Sequence, residues 1–154
     1  GCPGRVIERV ETVVDELTTN AIFNAPMGPG GQPRFAHLSR RFPVALEPGD
    51  AGELAFGCDG ETFVITQRDP FGSLERHTVI EHLTRCLQKG PGELLASGGG
   101  AGLGLFRCFS SSSRMVFSIQ PGRRTEVVAL LDLRPSVRQF KTQPKSLHFF
   151  TQET

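Results

Sequence analysis

Val6, Val10, Val13, Val14, Leu17 and Ala21 fall at three- and four-residue steps along the start of the chain. That period puts them on one face of an α-helix from about Val6 to Ala25. A helix with one apolar stripe is stable only against a second layer, so the rest of the chain must supply that layer. The run Ala25-Pro-Met-Gly-Pro-Gly-Gly31 ends the stripe, because proline removes a donor and glycine favours turns.

Beyond the break the texture changes to short apolar runs. Phe42–Leu46, Leu54–Cys58 and Thr62–Gln67 read as strands, with Asp59-Gly60 as a hairpin turn between the last two. Residues 75 to 89 return to helical spacing, with Val79, Ile80, Leu83 and Leu87 on one face and Gly90 as the stop. A glycine-rich segment, Gly90–Gly104, opens onto a third helix carrying Leu105, Phe106 and Phe109. Two strands follow, Met115–Ile119 and Glu126–Leu133, joined through Pro121-Gly122. Hairpins with helices grouped on one side predict an α+β two-layer sandwich with a mixed, largely antiparallel sheet.

The 154 residues suit a single domain, and composition narrows its class. No stretch approaches a membrane span or a signal peptide. A formal charge of +1 offers no strong field for nucleic acid or a lipid surface. The four cysteines, at positions 2, 58, 86 and 108, form no CxxC pair, so neither a disulfide scaffold nor a zinc knuckle is expected and a cytoplasmic location is the simpler context. The chain opens on Gly1 rather than Met, as expected of a piece of something longer. The body is expected over residues 1–133, followed by a basic tail, residues 134–154. The tail carries Arg134, Arg138, Lys141 and Lys145 against Glu153, a net +3 that leaves −2 on the body.

Three motifs carry possible chemistry. Glu16 and Asn20, four residues apart, differ by only ~40° around a helix axis and share a face, which Asn24 continues. A carboxylate beside an amide oxygen can take a proton from a hydroxyl and hold a hard cation such as Mg²⁺; taken alone, such a pair more often marks a solvated helix face. Asp69-Pro70-Phe71-Gly72-Ser73 follows a strand and places a carboxylate where it can accept from an exocyclic amine, or simply shape a polar turn. Gly98-Gly99-Gly100-Ala101-Gly102-Leu103-Gly104 leads into a helix, where bare amides can close around phosphates, although glycine-rich composition alone also fits a linker. The histidines at 77 and 82 are five apart and do not face one another, so they do not suggest a metal site.

In this order, Glu16-x3-Asn20-Ala21, Asp69-x2-Gly72 and Gly100-x-Gly102-Leu103-Gly104 resemble the N, G1 and G2 boxes of the GHKL ATPase superfamily. Within it, the wording VVDELTTNAIFNA is most similar to the anti-sigma-factor serine kinase branch. The resemblance spans roughly residues 6 to 133. It implies a Bergerat-type fold, with ATP and Mg²⁺ as cofactors and transfer of the γ-phosphoryl group to Ser or Thr of a partner protein, an anti-anti-sigma-like or sigma-like regulator. Glu16 would be the base and Asn20 the Mg²⁺ ligand, with Asn24 beside it. Asp69 would read adenine, Gly72 would back the adenine pocket, and Gly100, Gly102, Leu103 and Gly104 would enclose the phosphates. Residues Glu75–Ser97 would form a lid. The chain departs from the family where Phe71 and Ser73 stand at G1 glycine positions; Phe71 is expected to stack near the base or fill part of its pocket. The alternatives are a non-catalytic nucleotide-sensing or protein-binding module, and a catalytic domain cut from a larger sensor kinase.

The family resemblance does not cover the tail. Leu147–Phe150 has strand propensity, and a sheet edge left open invites pairing. This segment is expected either to dock on the body or on a second copy, as in a homodimer, hiding Phe149 and Phe150, or to fray.

Overall fold

A computed structural model describes residues 4–90 and 102–152. Helix α1, Gly4–Thr19, buries Val6, Val13, Glu16 and Leu17, and runs directly into a π-helical turn, Asn20–Asn24. The Ala25 N–H closes that turn on the Asn20 carbonyl at 3.0 Å. The expected helix to Ala25 is therefore present, but its last turn is wound one residue wider.

No strand forms over Phe42–Leu46. The Phe42 N–H closes a turn on Ser39 (2.9 Å), Pro43 has no N–H to give a ladder, and Phe42 and Leu46 remain 64% and 42% exposed. An apolar run with neither a partner strand nor a face to cover stays irregular. A short 3-10 turn, Pro48–Asp50, then leads into β1, Glu53–Cys58, and β2, Thr62–Asp69. Their hairpin is centred on Gly60-Glu61, one residue later than the Asp59-Gly60 dipeptide suggests. Gly60 takes φ +95°, while the Asp59 carboxylate accepts the N–H groups of Glu61 (2.9 Å) and Thr62 (2.7 Å).

Helix α2, Arg76–Lys89, buries Val79, Leu83 and Cys86 and stops at Gly90, which has φ +77°. Helix α3, Leu103–Ser111, buries Leu103, Leu105 and Cys108. The hairpin of β3, Arg114–Gln120, and β4, Arg124–Asp132, turns through Pro121-Gly122 as expected. A short helix α4, Val137–Thr142, capped reciprocally by Ser136 and Gln139, precedes β5, Ser146–Thr151.

The five strands form one mixed sheet in the order β1-β2-β4-β3-β5, antiparallel except for the last pair. Strict alternation on β4 and β3 turns Val127, Ala129, Leu131, Met115 and Phe117 towards the helices, where they meet Val13, Leu17, Val79 and Leu105 in one core. The architecture is α+β, with a five-stranded mixed sheet and helices packed on it. Of the two fates open to the tail, docking on the body is the one observed. Phe149 stacks on Phe117 with ring centroids 4.9 Å apart. Phe150 is not hidden; one residue further along a strand it faces the other way and stays 59% exposed.

Candidate functional site

A cleft of about 770 Å³ opens between α1, its π-turn, the end of β2, α2 and the start of α3. Seven of the residues singled out from the sequence line it: Glu16, Asn20, Asn24, Asp69, Gly102, Leu103 and Gly104. Gly100 lies outside the described residues, as do positions 91–97 of the expected lid. The described part of that lid is α2, a packed helix whose Thr78, Val79 and His82 form one wall.

Phe71 and Gly72 are placed differently from the expectation. Neither lines this cleft; both line a neighbouring hollow of about 650 Å³, with Met27, Ile119 and Thr151. The reason is the turn after β2. The Asp69 carboxylate accepts the Phe71 N–H at 3.0 Å, which reverses the chain immediately and carries residue 71 away from the cleft. Gly72 has φ +60°, and a Cβ there would overlap the Gln120 carbonyl and come within 2.9 Å of the Arg123 and Arg124 nitrogens. Its lack of a side chain therefore serves close packing on the β3–β4 turn.

Glu16 is the most constrained group of the cleft. It is only 3% exposed, yet both carboxylate oxygens are engaged. Arg107 Nη1 donates to Oε1 at 3.1 Å and Arg40 Nη1 to Oε2 at 3.4 Å. Arg107 is on α3 and Arg40 on the irregular segment before β1. A Cβ on Gly104 would overlap Oε2, so glycine at 104 is what lets this carboxylate lie against α3.

Asn20 lies one turn on, and Asn24 Nδ2 donates to its Oδ1 at 2.8 Å. That bond fixes the Asn20 amide and leaves its oxygen one further lone pair. Among the described residues no cluster of three His, Cys, Asp or Glu side chains is arranged to hold a metal. The donor set does not fit a cage built from protein alone, but it fits an Mg²⁺ that takes most of its oxygens from water and bound phosphates.

Burial pushes the Asp69 carboxyl above its ordinary range, against the lowering effect of the Phe71 and Gly72 N–H groups. Thr125, its cross-strand partner on β4, and Gln67, two residues before it on β2, are buried polar neighbours in the same cleft. On the other side Gly102, with φ +88°, begins α3; a Cβ there would come within 2.6 Å of the His82 ring. Burial, helped by the Arg85 charge and opposed by Glu81, lowers the His82 pKa and favours its neutral form.

Four lining residues escape sequence reading. Gln67 is legible only as the end of a strand, and His82 reads only as a helical residue without a partner. Thr125 lies just before the expected strand Glu126–Leu133, which in fact begins at Arg124. Arg40 sits in a segment with no periodicity, so nothing local marks it. Arg107, a basic residue in the third helix with no local signal to give it a role, pairs with Glu16. No family model, no curated protein and no solved structure matches this chain.

Proposed function

We propose that the cleft is a Bergerat-type ATP site and that the chain is a protein kinase domain of the anti-sigma-factor type. One observation carries the reading: Glu16, Asn20, Asp69, Gly102 and Gly104, drawn from three separate segments, line one cleft. In the proposed reaction a Ser or Thr hydroxyl oxygen of a partner protein bonds to the γ-phosphorus. The bond from that phosphorus to the bridging oxygen breaks, ADP leaves, and the hydroxyl proton passes to the Glu16 carboxylate. Asn20 would hold Mg²⁺, which when bound neutralises charge on the phosphates. Asp69 accepts from the adenine amine, and the amides at the start of α3 face the phosphates. An ATP-dependent activity goes with a cytoplasmic location, and no helix among the described residues is long and apolar enough to cross a membrane.

Calorimetry with ATP and ADP, with and without Mg²⁺, tests the site; labelled ATP with an anti-anti-sigma-like or sigma-like regulator tests transfer. Saturable, Mg²⁺-enhanced binding is expected, and no binding of either nucleotide would sink the reading. The double engagement of Glu16 favours a second reading, a nucleotide-sensing or protein-binding module without catalysis. Binding with no transfer to any hydroxyl acceptor would select it.

A further inference from the structure

We propose that Arg40 and Arg107 are the polyphosphate ligands of this cleft, and that the Glu16 carboxylate holds their place until a polyphosphate displaces it. The inference rests on the ATP reading above and names the groups that would recognise the phosphate chain.

Two arginines from unrelated segments converge on one carboxylate that is itself almost wholly buried. Their own side chains are 55% and 61% exposed, so each guanidinium is anchored at one nitrogen and keeps further N–H donors open to the cleft. A guanidinium matches a phosphate as well as it matches a carboxylate, and often pairs through two parallel bonds. A polyphosphate brings several negative oxygens, whereas Glu16 brings two. Once either arginine turns to phosphate, a carboxylate oxygen loses its hydrogen bond and can accept the proton of an incoming hydroxyl. A base must lie within hydrogen-bond reach of the proton it takes. Here each Glu16 oxygen already accepts an arginine N–H, and two guanidinium charges stabilise the carboxylate and weaken it as a base. Releasing an arginine therefore both frees an acceptor site and strengthens the base. Ligand binding and activation of the base are thereby coupled.

The test measures binding of ATP, AMP and inorganic tripolyphosphate to the full chain by calorimetry. It uses wild type, Glu16→Gln, and Glu16→Gln combined with Arg40→Met or Arg107→Met. The Gln background keeps every variant free of a stranded buried carboxylate, and thermal melts check that each is folded. Removing the competing charge in Glu16→Gln should tighten ATP and tripolyphosphate several-fold while leaving AMP nearly unchanged. Each added arginine substitution should then weaken ATP about tenfold, the loss expected for a charge-assisted hydrogen bond, again sparing AMP. ATP affinity within twofold of Glu16→Gln in both double variants would overturn the arginine assignment while leaving the nucleotide reading intact. Weaker ATP binding in Glu16→Gln would overturn the exchange. Tight tripolyphosphate with no preference for ATP would support the arginines and remove the adenine reading, and a wild type that binds neither would end both.

Discussion

Gly104 and Glu16 cannot be varied independently: a Cβ at position 104 would occupy the space of the Glu16 Oε2 atom. Gly104→Ala should gain roughly 1 kcal/mol in helix propensity, because residue 104 lies within α3. It should lose more than that, since overpacking costs about 1–3 kcal/mol and breaking a buried ion pair about 3–5 kcal/mol. Net destabilisation in urea melts is the expected outcome. In a Glu16→Ala background the same change should turn neutral or stabilising, and simple additivity of the two would show that they do not touch.

Chemistry and binding should separate at the N-terminal wall. With Glu16 as base, Glu16→Ala should reduce phosphoryl transfer by about 10²- to 10⁴-fold while nucleotide binding survives. Asn20→Ala should leave Mg²⁺-free binding in place and weaken the Mg²⁺-dependent part. A parallel collapse of fold and binding in both variants, followed by circular dichroism, would make the pair structural.

Phe71 should have no effect on nucleotide affinity, since it faces the second hollow. Phe71→Ala is expected to keep ATP affinity within twofold and to lower stability by about 1–3 kcal/mol, less than for a fully buried phenylalanine. A clear gain in ATP affinity would put the ring back in the cleft.

The tail should behave as part of the domain. Phe149→Ala removes the ring stacked on Phe117 and is expected to cost about 3 kcal/mol; deleting residues 142–154 should lower the melting temperature further. An unchanged melting temperature after the deletion would mean that β5 is not held.

Lys145 supplies a pH dependence. Its ammonium donates to the Ser112 carbonyl at 2.6 Å and lies 3.8 Å from the Phe140 ring centre, and burial, with the Arg9 charge, pushes its pKa down to about 8. Below about pH 8 both folded and unfolded chains hold the proton, and the penalty of burying the charge is felt in full. Between about 8 and the ordinary 10.5 the unfolded chain holds more of it, so this group's contribution to stability rises with pH. Urea melts across that window should show wild type gaining on Lys145→Met; a constant difference would count against it.

How far the sequence reaches is visible in particular residues. The 3.6 period of Val6 to Ala21 and the stop at Gly90 gave two helices to within a residue or two, because periodicity and caps are local signals. Glu16 and Asn20 share the cleft for the same reason. Phe42–Leu46 failed because strand propensity says nothing about whether a partner exists. Phe71 failed because one hydrogen bond from its own N–H to Asp69 decides which hollow its ring enters. Arg40 was out of reach because its partner, Glu16, is twenty-four residues away, across an irregular segment.

The pairing of β3 with β5 bears on how the molecule opens. Arg114 and Ser146, which begin that ladder, are 32 residues apart, and β5 has a single neighbour in the sheet whereas β2 and β4 have two. An outer strand with one ladder detaches more readily in sub-global fluctuations than an inner one, so its amides should exchange with solvent sooner than those of β2 and β4. Phe117, the ring that Phe149 covers, also lines the cleft. Each time the last strand lifts, the cleft loses the support beneath one of its own surfaces, so the lifetime of that outer ladder sets an upper limit on how long the cleft keeps its shape.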